Sequence, residues 1–182
     1  MDINDVDMRG VFYTIPTGLS EESIKALLLE SESWEKSMEF ARVSNSNPDE
    51  KKRKGKVSWL NTDHWVAGMM AHLVREANRN FFGADLTCWA SQIQYTRYDG
   101  KDKDHYTWHT DSFQSAFIQG EVRKLSISLL LSRPEDYEWG EVQFHRLSES
   151  HTLKPALGDA IIFSAQTPHR VRPVKSGVRK SL

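Results

Sequence analysis

Past Leu86 the apolar pattern changes from a helical repeat to short strand-like runs broken by Gly and Pro. This switch constrains the fold more than any other feature. The runs at 87–95, 125–131 (LSISLLL), 141–145 (EVQFH) and 160–163 (AIIF) are rich in strand formers. Residues 169–174 are a further candidate, with Pro173 suiting an edge or a strand end. Many short strands with turn residues between them predict an antiparallel sandwich or barrel, and a double-stranded β-helix, or jelly roll, fits.

Before Leu86 the spacing reads as helical. Ser20 precedes Glu21 and Glu22, an N-cap followed by acids that the helix dipole favours, and Ile24, Leu27, Leu28 and Ser31 form a stripe ending near Trp34. A second helix is predicted from Thr62 or Asp63 to about Phe81, with Met69, Met70, Leu73 and Ala77 on one face and Gly83 as its C-terminal cap. Between the helices, residues 45–56 (NSNPDEKKRKGK) read as a solvated loop whose basic cluster, Lys51, Lys52, Arg53, Lys54 and Lys56, suits an acidic partner. The expected fold class is α+β: residues 1–85 as a helical support packed on a double-stranded β-helix core at 86–182, in one compact domain.

Composition narrows the function. Lys and Arg number 24 and Asp and Glu 25, a net charge of −1, which disfavours a surface tuned to nucleic acid. The single Cys88 excludes an intrachain disulfide and a cysteine-based zinc site. No apolar run approaches the ~18 residues of a membrane span. The first seven residues are acidic and polar, unlike a signal peptide, so the expected compartment is the cytoplasm.

Of the seven histidines, His109 stands out, in His109-Thr110-Asp111. On an extended segment an i, i+2 pair lies on one side of the backbone, so imidazole and carboxylate can face one centre. A distant His169 can complete a 2-His-1-carboxylate set, which leaves half of an octahedral coordination sphere open. Such a site needs neutral imidazoles, and metal affinity is expected to fall below about pH 6. Arg179 follows a turn expected at Lys175-Ser176-Gly177. On the next strand, antiparallel to that of His169, its guanidinium is suited to hold a carboxylate bidentately.

Tyr98-Asp99-Gly100 followed by YTWHTD at 106–111 resembles the Y-x-x-G…Y-x-W-H-x-D segment of prolyl-4-hydroxylase-like Fe(II)/2-oxoglutarate dioxygenases, and above all their PKHD-type hydroxylase group. The run 123–132 (RKLSISLLLS), PEDYE at 134–138, Gly140-Glu141, and Pro168-His169-Arg170-Val171 through Pro173-Val174, Gly177 and Arg179 are similar to that group's later blocks, in order. The resemblance implies a double-stranded β-helix in which His109, Asp111 and His169 bind Fe(II), and Arg179 binds the distal carboxylate of 2-oxoglutarate. It implies that Tyr98 lies near that co-substrate. It also implies hydroxylation of a substrate C–H with O2, releasing succinate and CO2, on a protein or peptide substrate of prolyl type. The family normally continues past Arg179 with an apolar, aromatic strand, so a last strand cut short at Leu182 is expected. Trp139 departs from the pattern, standing where the family has a glycine; it and Trp108 are candidates for substrate contact. Two other readings stand beside this one: a nucleic-acid demethylase of the same superfamily, and a jelly-roll binding module without catalysis.

Overall fold

A computed structural model describes residues 11–17, 19–42, 49–89, 92–112, 122–146 and 148–182. In chain order these form β1 (Phe12–Pro16), α1 (Glu21–Glu35), β2 (Glu39–Phe40), β3 (Arg53–Lys54), β4 (Lys56–Leu60), α2 (Trp65–Ala77), β5 (Ile93–Asp99), β6 (His105–His109), β7 (Leu125–Leu129), β8 (Tyr137–Trp139), β9 (Val142–Arg146), β10 (Glu149–Leu153), β11 (Asp159–Ser164), β12 (His169–Val171) and β13 (Val174–Ser181).

The strands build two facing layers. The smaller has the order β10-β9-β12-β6-β3. The larger combines β1-β11-β7 with β2-β4-β5-β13-β8. The two parts are stitched by reciprocal hydrogen bonds of Leu129 and Leu182 (2.8 and 3.0 Å) and by Leu131 N–H to the Lys180 carbonyl (2.9 Å). β13 thus has partners on both edges, β5 along one and β8 then the end of β7 along the other. This is a jelly roll.

α1 starts as the sequence predicts. The Ser20 hydroxyl accepts from the Ser23 N–H, and α1 buries Leu27, Ser31 and Trp34. The cap of α2 is His64 rather than Thr62 or Asp63: its ring nitrogen accepts from the Val66 N–H. The helix runs into one π-turn, Asn78–Phe82, closed by Gly83 at φ +62°. Val66, Met70, Leu73 and Ala77 form one buried stripe, packed in a single core with Leu129, Leu131, Ala160 and Ile162 of the larger layer. A second core fills one end of the space between the layers, from Val142 and Phe144 on one side and Ile161 and Phe163 on the other. β11 therefore buries both faces, the physical reason for its continuous AIIF run.

Five readings are corrected. The first half is not helical throughout: β1 pairs with β11 and β4 with β5, so it adds strands to the jelly roll. The basic segment is not simply a loop, because Arg53 and Lys54 form β3 on the edge beside β6; residues 43–48 lie outside those described. Residues 87–89 form no strand, and β5 begins at Ile93. Arg179 does follow His169 by one strand, but β13 lies in the larger layer and does not pair with β12. The chain crosses between layers at Arg172 and Pro173, whereas Lys175-Ser176-Gly177 lies within β13 at a bulge. Pro173 has no N–H to give to a ladder, so the strand ends there.

Candidate metal centre

β6 and β12 are antiparallel neighbours, and His109 and His169 are Cα partners across them. Both rings face the interior, with centroids 4.1 Å apart. Asp111 lies just past the end of β6. Its N–H and that of Ser112 both donate to the Ala165 carbonyl (2.9 and 3.1 Å), which ties the segment to the turn after β11. The Asp111 carboxylate is thereby swung back towards the two imidazoles. Its Oδ1 is 3.8 Å from His109 Nε2 and 3.7 Å from His169 Nε2. The three donor atoms lie within 4.8 Å of one another.

Each histidine is held by its other nitrogen. His109 Nδ1 donates to the Thr107 carbonyl (2.8 Å) and His169 Nδ1 to the Thr167 carbonyl (2.9 Å). That tautomer aims the Nε2 lone pairs inward at the carboxylate, as metal-ligating histidines are held. The remaining oxygen of Asp111, Oδ2, accepts from the Ser126 hydroxyl on β7. Burial, reinforced by repulsion from His169, pushes the His109 pKa down to about 4. The ring is therefore neutral at physiological pH and keeps its lone pair free. Tyr106 stacks on it at 3.4 Å between centroids, while Phe163 packs edge-on against His169 at 4.6 Å.

The donor set fits a divalent transition ion: two neutral imidazoles and one carboxylate on one side of a cavity. Donors at about 2.1 Å from an ion and at right angles to one another are about 3 Å apart. The Asp111 Oδ1 separations of 3.8 and 3.7 Å from the two imidazole nitrogens are within about 1 Å of that. Strand alternation turns Gln94 and Thr96 of β5, Ser126 and Ser128 of β7, and Arg179 and Ser181 of β13 towards the cavity. Arg179, 2% exposed, lies directly opposite Tyr98, which is 3% exposed. Arg179 Nη1 donates to the Ser181 hydroxyl (3.1 Å). Its positive charge draws the Tyr137 pKa down, but burial dominates and that pKa is raised. His109, Asp111, His169, Arg179 and Tyr98 all line one cavity of about 1070 Å³. The set anticipated from sequence is thus brought together. Trp108 and Trp139 are not: both are exposed, with Arg170 over Trp108 (4.6 Å) and Arg172 over Trp139 (4.8 Å). Ser126 was not anticipated, although the LSISL alternation carries it: the face opposite Leu125, Ile127 and Leu129 holds only serines.

These features define a jelly roll whose interior presents a carboxylate-anchored pair of histidines to a cavity lined by both polar and apolar side chains. The family model of the 2OG-Fe(II) oxygenase superfamily matches residues 93–182, and this segment belongs to that superfamily. A PKHD-type hydroxylase of Azoarcus sp. (strain BH72) is 33% identical over 106 residues, covering 56% of this chain and 46% of that protein. The chain spans about half the length of the curated relatives it matches. Among solved structures, a Trichoplax adhaerens prolyl hydroxylase in complex with a peptide fragment of the hypoxia inducible factor oxygen degradation domain superimposes with a TM-score of 0.77. It covers 98% of this chain and 83% of that one at 16% identity. A Pseudomonas putida prolyl-4-hydroxylase gives 0.72, with 98% and 92% coverage at 19% identity. These two establish the fold. Fe(II), 2-oxoglutarate and O2 are the superfamily's cofactor and co-substrates. No described helix is long and apolar enough to cross a membrane.

Proposed function

We propose that this chain is an Fe(II)- and 2-oxoglutarate-dependent dioxygenase that hydroxylates a C–H bond of a peptidyl, prolyl-type residue, with release of succinate and CO2. The observation that carries the reading is the convergence of His109 Nε2, His169 Nε2 and Asp111 Oδ1 inside the barrel. Bound Fe(II) and 2-oxoglutarate supply the activation of O2 for attack on an unactivated C–H bond. The chain's own part is positional. His109, Asp111 and His169 hold the metal through one side only, which leaves room for the co-substrate and O2. The Thr107 and Thr167 carbonyls fix the imidazole tautomers, and the Ser126 hydroxyl orients the carboxylate. Arg179 takes the distal carboxylate of 2-oxoglutarate, with Tyr98 beside it across the strand pair. Residues 86–182 carry this catalytic core and residues 1–85 support it. A peptide substrate is favoured because the Trichoplax neighbour is a prolyl hydroxylase holding a peptide. A net charge of −1 speaks against nucleic acid, and the single cysteine suits a cytoplasmic setting.

Titration with Mn(II), a redox-quiet substitute for Fe(II), is the direct test. Wild type binds Mn(II), binds 2-oxoglutarate more tightly with it, and in Fe(II) forms succinate in response to prolyl peptides. Asp111→Ala loses Mn(II) binding while remaining folded. Equal Mn(II) affinity in the two proteins overturns the metal assignment. Succinate formation driven by methylated oligonucleotides and not by peptides moves the substrate to nucleic acid.

A further inference from the structure

Among the described residues two arginines are buried, Arg179 and Arg53, and both line the same cavity. Neither forms an ion pair with a described carboxylate. Arg53 sits on edge strand β3, paired with Tyr106 of β6, and is 7% exposed. Its guanidinium lies over one face of the Tyr106 ring, 4.6 Å from the centroid. Tyr106 in turn stacks on His109. The cation is therefore one aromatic ring away from the proposed metal centre. Its polar contacts are sparse: Nη1 donates to the Arg42 carbonyl (3.2 Å), and the buried Nε has no partner. The lysines flanking it are different. Lys52 meets Asp49 (3.9 Å), and Lys54 meets Glu50 (3.6 Å) and Asp102 (3.8 Å).

Burying a guanidinium without a counter-charge is costly, and an unmade hydrogen bond adds to the cost. A fork of donors held in this state is suited to a planar anion that arrives from outside. Resting on the dioxygenase reading, 2-oxoglutarate has two carboxylates, and the metal and Arg179 account for both. Arg53 is left over.

We propose that Arg53 recognises a carboxylate carried by the primary substrate, so that the site prefers peptides with an acidic residue next to the one hydroxylated. The test uses a matched pair of short blocked peptides with either Glu or Gln flanking a central proline. Binding is measured by calorimetry to the Mn(II)/2-oxoglutarate form and to the metal-free protein. Wild type is expected to bind the Glu peptide at least tenfold more tightly. Arg53→Gln abolishes that preference and leaves 2-oxoglutarate affinity within twofold. Arg53→Lys, which keeps the charge but loses the fork, retains part of it. The absence of a preference in wild type overturns the proposal. So does a tenfold loss of 2-oxoglutarate affinity in Arg53→Gln with the peptide preference intact, which assigns Arg53 to the co-substrate. If Arg53→Gln does not fold, Arg53→Lys decides: a preference reduced threefold or more supports recognition, and an unchanged one refutes it. A Glu preference in metal-free protein that binds neither Mn(II) nor 2-oxoglutarate retires the dioxygenase reading while leaving the Arg53 site in place.

Discussion

Replacing Arg179 with Gln separates two energetic roles of one side chain. In the proposed function, bound co-substrate makes the guanidinium one half of a buried ion pair. Truncating one partner of such a pair costs about 2–5 kcal/mol, or roughly 30-fold to several thousand-fold in affinity. At 2% exposure, water cannot easily replace the lost donor. Without co-substrate the sign differs. Arg179 is then a buried cation beside the Ser181 hydroxyl and the neighbouring Tyr137. A neutral side chain removes a desolvation cost, so the ligand-free variant should melt no lower than wild type. The assay is thermal unfolding with and without 2-oxoglutarate in the presence of Mn(II). At a ligand concentration of 100 times the wild-type Kd, wild type gains about 2.7 kcal/mol. The variant at the same concentration gains less than about 1 kcal/mol if its affinity has dropped 30-fold or more. A folded Arg179→Gln protein with unchanged 2-oxoglutarate affinity would refute the assignment.

Two further outcomes are expected. Gly177 has φ +74°, and a Cβ there would lie 2.0 Å from the Asp136 carbonyl oxygen and 2.8 Å from Tyr137 Cα. Gly177→Ala must therefore push β8 away from β13 and should lose roughly 3 kcal/mol or more, about 6–12 °C in melting temperature; an unaltered melting point contradicts the strand register. The His109 pKa is held down near 4, so as pH falls the unfolded chain takes up this proton first. The contribution of His109 to metal-free stability is complete above about pH 6.5 and is lost between there and about pH 4, on the order of 3 kcal/mol. Urea midpoints at pH 7.5 and 4.5 should differ less in His109→Gln than in wild type, and equal differences count against it.

Local chemistry made part of this legible in the sequence. The Ser20 cap, the Met70–Leu73–Ala77 stripe and Gly83 located both helices, because each signal acts within a turn or two. The His109–Asp111 spacing worked for the same reason, although Asp111 comes into place through a backbone bond to Ala165 rather than through regular pleating. What escaped is non-local. β1 and β4 are short, and their partners β11 and β5 lie far along the chain. The layer that receives β13 depends on where the chain turns, and a Lys-Ser-Gly triplet looked like a better turn than Arg172-Pro173. Arg53 was hidden among four lysines, since composition does not distinguish a buried guanidinium from its solvated neighbours.

Register links the stable half of this molecule to its chemistry. On β7, Leu125, Ile127 and Leu129 pack towards α2, so Ser126 and Ser128 must face the cavity, and Ser126 meets Asp111. On β13, Lys180 reaches out to Glu35 on α1 (2.6 Å), which turns Arg179 and Ser181 inward. A slip of one residue on either strand would exchange its faces, pointing leucines at the carboxylate or a lysine at the co-substrate pocket. The polar lining gains little from burial on its own, because unpaired polar groups cost free energy in the interior. The apolar outer faces of β7 and β11 against α2, together with the Lys180–Glu35 ion pair, therefore fix the register that the inner faces need. The N-terminal helices act on the site chiefly through the strands they cover; among the described residues their direct share of the cavity lining is Met70 and Val74 of α2.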